Sequence, residues 1–170
     1  MADENELNDD YLNFSGDSKI KSMIKGETLL FSDSIIKINK YGMNQDRVLL
    51  ITDGAVYNLN SVKDKKLKRR IDISKIRGIT TSQVSDELVL HGKDEEYDYL
   101  YISQKKNRII CILEEIHESL TGEELEFANL EIAQLNNVVT TKKAKAKNFQ
   151  ASMMNDSELY NIKEYINENI

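Results

Sequence analysis

Six basic residues crowd into eight positions, Lys63, Lys65, Lys66, Lys68, Arg69 and Arg70, with Asp64 as the one acid among them. The chain holds 23 Lys+Arg against 29 Asp+Glu. Outside the run, 17 positive charges therefore face 28 negative ones. Charge segregated in this way suits an anionic partner, with a solvated hairpin tip that aids solubility as the alternative. Each Lys or Arg beside an anionic lipid leaflet is worth about 1 kcal/mol, so the run is strong enough to hold a protein there weakly. An acidic protein surface is the other partner that fits. A smaller cluster, Lys142, Lys143, Lys145 and Lys147, reads as part of a polar linker.

Catalytic and metal chemistry find no such pattern. His91 and His117 lie 26 positions apart and Cys111 is the single cysteine. Zinc needs three or four good ligands at short spacing, and neither an HExxH nor a paired-cysteine motif is present. A P-loop is absent as well, so the chain is not read as a motor. No catalytic residue, metal or cofactor is expected. His117 reads as a surface residue of a helix, and Cys111 as a small buried one.

The remaining composition bounds the fold. With 170 residues, 40% hydrophobic and 31% charged, and a net charge of −6, the chain fits one ordinary globular domain with room for a tail. There is no Pro and no Trp. No apolar run approaches the length of a membrane span. The acidic start MADENELNDD is unlike a secretory or transit signal. One cysteine suits a reducing compartment, so a cytoplasmic location is expected. The acidic balance argues against nucleic acid.

The elements that must carry the basic run are short strands. Ile20, Met23 and Ile24 suggest a helix over 18–25. Strands are expected at 34–39, 47–52, 55–59, 70–73, 76–81, 87–91 and 97–103. Asp53-Gly54 joins two of them as a tight hairpin whose turn favours positive φ. Ile109, Ile112, Leu113, Ile116 and Leu120 place one apolar face on a helix over 104–120. A strand or two follow within 124–132. A last short helix would carry Leu159, Ile162, Ile166 and Ile170 on one stripe. That stripe is too short to be stable alone, so it is expected to clip into a partner within a larger assembly.

The stretches DYLNFSGD, LLFSDSIIKINKYG, RVLLITDGAVYNL, KRRIDISKIRGITTSQVSDELVLH and DEEYDYLY, in this order, resemble the tail-homology domain of class I myosins. The resemblance covers about Asp10 to Ala144. It implies a mainly β, pleckstrin-homology-like antiparallel barrel or sandwich capped by one C-terminal amphipathic helix. It also implies binding to anionic phosphoinositide membranes. In that family a strand lysine and a basic-x-Arg loop form the phosphate pocket. Lys37 matches the lysine and Arg47 the arginine, with Lys40 close by, while Gln45 stands at the intermediate basic position. Asp46 next to Arg47 repels a phosphate by about 1 kcal/mol or more.

The expected organisation is an acidic arm and docking segment over 1–17, the tail-homology domain over 18–139, and a basic linker with a short helix over 140–170. The expected function is a non-catalytic adaptor at phosphoinositide membranes or cytoskeleton. Its lipid-binding residues would be Lys37, Lys40, Arg47, Lys63, Lys65, Lys66, Lys68 and Arg69, and its partner-binding residues Leu159, Ile162, Ile166 and Ile170. The alternative is a structural component of a cytoskeletal or ciliary, microtubule-associated assembly with a degenerate lipid site.

Overall fold

The computed structural model describes residues 9–147 and 160–169. The acidic arm up to residue 8, Leu159 and Ile170 lie outside the described residues. The chain forms two compact units, one built from its first 35 residues with 46–72, the other from 36–45 and 73 onward.

The first unit holds strand β1 (Asp9–Asp10), helix α1 (Ser18–Ile24), the start of β2 (Leu29–Ile38), most of β3 (Asn44–Thr52), and β4 (Ala55–Leu59) and β5 (Leu67–Asp72). Its strands are ordered β5-β4-β3-β2, with β1 parallel on β2. Asp17 caps α1 by accepting from the Lys19 and Ile20 amides, which satisfies two donors that a helix start leaves open. Ile20 and Ile24, one turn apart, then reach a core with Phe14, Val48, Leu50, Ala55, Tyr57 and Leu59. The 53–54 hairpin forms, but neither Asp53 nor Gly54 takes a positive φ. Instead the Thr52 hydroxyl accepts from the Gly54 and Ala55 amides and closes the turn.

In the second unit the end of β2 is followed by β8 (Tyr99–Ile102), β7 (Glu87–Gly92), β6 (Ile76–Ser82) and β9 (Glu126–Leu130), in that spatial order. Helix α2 (Lys106–Thr121), the short α3 (Lys142–Ala146) and α4 (Ile162–Asn169) complete it. The strands are not all antiparallel. After α2 the chain returns as β9 and pairs parallel with β6. A Cβ on Gly78 would come within 2.6 Å of the Glu126 carbonyl oxygen, so this close pairing needs glycine. Among the described residues the strand order has two ends, and the chain is mainly β with a C-terminal helical part.

Helix α2 turns the first part of its predicted apolar face inward but not the last. Ile109, Ile110, Ile112 and Leu113 are buried, but Ile116 is only half-buried and Leu120 is 51% exposed. Glu114 and His117 take the inner positions instead. His117 is thus not a surface residue, and Cys111 is only half-buried. The Lys-rich segment after Thr140 is partly helical, because the Thr141 hydroxyl caps α3 at the Ala144 amide.

Candidate functional site

The basic run is held by the β4–β5 hairpin of the first unit. Its loop is closed by Asn60, whose amide donates to the Lys66 carbonyl and whose Oδ1 accepts from the Lys66 amide. The Asp64 and Lys65 amides bond to Ser61. Pairing places Asn58 against Arg69 and Leu59 against Leu67, which leaves Lys68 as the extra residue of a bulge.

Within this hairpin the six charges divide into three sets. Lys65 forms an ion pair with Asp17 at 3.2 Å and lies over the Phe14 ring at 5.3 Å. Arg70 donates to Glu27 at 2.8 Å, to Asp72 at 2.6 Å and to the Tyr57 hydroxyl at 3.1 Å. Burial pushes the Glu27 carboxyl up, but bonds from Tyr57, Arg70 and Thr52 outweigh that and leave it below its usual range. These two cations therefore hold the unit together. Arg69 is half-buried beside Asn58. Lys63, Lys66 and Lys68 are exposed and form no ion pair among the described residues. They are the charges available to a partner.

The other expected ligands of an anion lie on β2, on β3 and in the turn between them. In the second unit Lys37 faces Tyr101 across the β2–β8 pair, and its Nζ sits 4.9 Å from the Tyr99 ring centroid. Tyr97, Tyr99 and Tyr101 stack edge-to-face at 5.6 and 5.5 Å, as their alternation predicts. Lys40 is exposed beside Tyr41 at 5.1 Å. In the first unit Arg47 is half-buried, and its guanidinium donates to the Asp46 carbonyl at 2.9 Å.

The described part of the C-terminal stripe already has a partner within its own chain. Ile162 is 1% exposed. Tyr165 packs on Phe127 at 4.9 Å and donates to Asn107. The Tyr160 amide donates to the Phe127 carbonyl at 2.7 Å. Burial of Ile162 and Tyr165 corrects the expectation that the stripe waits for another chain. Of the four stripe residues, only Ile166 is described and half-exposed.

Beneath this helix sit titrating groups that periodicity placed elsewhere. Burial pushes Glu114 from its ordinary 4.5 up to about 7, aided by Glu118 and Glu124 and opposed by the Leu125 amide and Lys163. The folded chain thus holds this proton more tightly than the unfolded chain. The resulting stability is complete below about pH 4.5 and is lost as pH rises through about 7. Glu114→Gln should therefore flatten that loss and raise the melting temperature above neutrality, as pH-series thermal melts would show. Glu114, Glu118 and Glu124 bring carboxylate oxygens within 4.8 Å of one another, and Lys163 supplies the cation at 2.7 Å from Glu118 and 3.7 Å from Glu124.

A hydroxyl–imidazole–carboxylate chain is also present. The Thr80 hydroxyl lies 2.7 Å from His91 Nε2, and His91 Nδ1 lies 2.8 Å from Asp98. Such a chain resembles a nucleophile triad, but Thr80 and His91 are each 1% exposed, so no substrate reaches the hydroxyl. Asp98 also accepts from the Gly92 and Thr140 amides, which marks the cluster as structural. Sequence spacing carries no sign of it, because the three residues meet only through strand pairing.

A family profile described as "Unconventional myosin tail, actin- and lipid-binding" matches residues 5–167. The Myosin IB heavy chain of Dictyostelium discoideum is 28% identical over 128 residues, which cover 70% of this chain and 11% of that protein. Human unconventional myosin-Id is 28% identical over 109 residues, covering 62% of this chain and 10% of that protein. The chain thus spans about a tenth of the length of these relatives. A crystal structure of the linker and DH/PH domains of p115-RhoGEF superposes with a TM-score of 0.50 at 13% identity, covering 65% of this chain and 36% of that one. At that identity the likeness is one of fold, and it is pleckstrin-homology-like.

Proposed function

This chain belongs to the unconventional myosin tail family, and from that premise we propose that it is a non-catalytic adaptor docking on anionic phosphoinositide membranes. The observation that carries the reading is the set of three exposed lysines, Lys63, Lys66 and Lys68, on a hairpin whose Lys65 and Arg70 are paired internally. In the first unit Arg47 adds charge, while Lys65 and Arg70 shape the support; Lys37 and Lys40 are cations of the second unit. About 1 kcal/mol per lysine gives weak, salt-sensitive and reversible attachment. No helix among the described residues is long and apolar enough to cross a membrane, so attachment would be peripheral.

The family description names actin and lipid, and a microtubule or ciliary partner has no support in it. Exposed Asp46 beside Arg47 favours a cytoskeletal surface as the second reading, because it weakens a phosphate pocket there. Flotation with phosphoinositide-containing and with purely zwitterionic vesicles, run beside co-sedimentation with filamentous actin, tests both. Flotation with the anionic vesicles alone supports the membrane reading. Co-sedimentation with actin and no flotation overturns it in favour of the second.

A further inference from the structure

Helix α2 sets Glu114 and Glu118 one turn apart on one face, where like charges repel. Gly122, at φ +77 in the left-handed region, ends the helix and turns the chain back. The return brings Glu124 to the same place. Three carboxylates then each present an oxygen within 4.8 Å of the other two. Helix α4 reaches this point with Lys163, whose ammonium lies 2.7 Å from Glu118 and 3.7 Å from Glu124. One ammonium thus answers three carboxylates, all within the second unit.

The lysine does not complete the arrangement. Glu114 is only 3% exposed. Its Oε2 accepts from the Leu125 amide at 3.0 Å, but its Oε1 is buried with no hydrogen-bond partner among the described residues. A buried acceptor left open is costly, and a ligand that meets it recovers that cost. Glu114, Glu118, Lys163 and Ile166 line one cleft of about 410 Å³, which has room for an ion and its waters. The donor set selects the ion. It is all carboxylate oxygen, with neither imidazole nor thiolate, and so suits a hard cation rather than zinc. Calcium holds its oxygens at about 2.3–2.6 Å in a flexible shell, so oxygens this close fit around one ion. Magnesium demands a tighter octahedron and gives up its waters reluctantly.

We propose that Glu114, Glu118 and Glu124 form a calcium site, with Lys163 as the tethered cation that calcium displaces. The ion meets the open oxygen of Glu114, which the lysine leaves unserved. On exchange the ammonium leaves Glu118, so calcium unties α4 from α2 at this point. The site stands apart from the basic hairpin and needs neither reading of the partner.

Calorimetric titration of the full chain with calcium chloride, above neutral pH so that Glu114 is ionised, tests the site. The wild type should bind one calcium ion with a dissociation constant below ~1 mM, the weak end of protein calcium sites, and magnesium about tenfold more weakly or worse. Glu118→Gln with Glu124→Gln should abolish the heat and leave the fold intact, since these side chains are 41% and 43% exposed. Lys163→Met removes the competing ammonium and keeps the stem, so it should tighten calcium binding about tenfold or more. Calcium binding by the double glutamine variant overturns the site, and so does equal affinity for magnesium. Absence of wild-type binding below ~1 mM overturns it whatever Lys163→Met does, because the cluster then serves the lysine alone. An affinity that Lys163→Met leaves unchanged overturns the exchange.

Discussion

Asp98→Ala should lower the unfolding free energy by about 3–5 kcal/mol, the usual cost of removing one partner from a buried, hydrogen-bonded pair. The side chain is 2% exposed and serves three donors: His91 Nδ1 at 2.8 Å, the Gly92 amide at 3.0 Å and the Thr140 amide at 2.9 Å. Alanine leaves all three without an acceptor in a site closed to water. Strand β7 ends at Gly92, and the Asp98 amide also donates to the Thr140 carbonyl, so the loss reaches two distant segments. For a chain of this size each kcal/mol moves the melting temperature by about 2–4 °C, giving a fall of about 6–20 °C. Asp98→Asn keeps the shape and one acceptor and should cost less. Thermal and urea melts check both, and a loss below about 1 kcal/mol for the alanine variant would show that the cluster is not the support described.

Reversing Lys63, Lys66 and Lys68 to Glu should weaken binding to phosphoinositide vesicles more than a hundredfold. Three lost attractions of about 1 kcal/mol each already reach that, and three new repulsions add to it. The fold should be unaffected, since all three side chains are exposed and form no ion pair among the described residues. Reversal of Lys65 and Arg70 should do the opposite in part. Those two pair with Asp17 and Glu27, so their loss lowers the melting temperature. Vesicle binding and melting measured on both variants separate the binding lysines from the structural cations.

Much of the strand order was legible because half-buried strands alternate and their turns carry polar signals. Ala55–Leu59 lies where the hairpin signal put it, and Ile109 and Leu113 face inward as their spacing requires. The face of α2 was misread for a physical reason. Periodicity follows residue type, and it assigns a glutamate and a histidine to water. Here Glu114 accepts from the Leu125 amide at 3.0 Å and His117 Nδ1 donates to the Glu123 carbonyl at 3.0 Å, and these bonds let both be buried. The hydrogen bonds come from the chain that returns after α2, which local spacing cannot see.

The same limit shaped the reading of the basic run. Six charges in eight positions look equivalent in sequence. Their division depends on Asp17 and Glu27, some forty residues earlier, which claim Lys65 and Arg70. The parallel β9 was hidden for a related reason, since alternation reveals a strand but not its direction. Ile162, in turn, was given an outside partner because a short amphipathic helix cannot stand alone. The rule held, but Ile162 is buried within the same chain, where Tyr165 of its helix packs on Phe127.

The claim that exposed lysines hold this chain to an anionic bilayer is tested most directly by its affinity for phosphoinositide vesicles at low and at physiological salt, with the Lys63, Lys66 and Lys68 reversal alongside. The account predicts a steep loss of wild-type affinity as salt screens charges beyond ~8–10 Å, and no measurable binding by the reversed variant at either salt. Equal affinities of the two proteins, or wild-type binding that salt leaves unchanged, would contradict it.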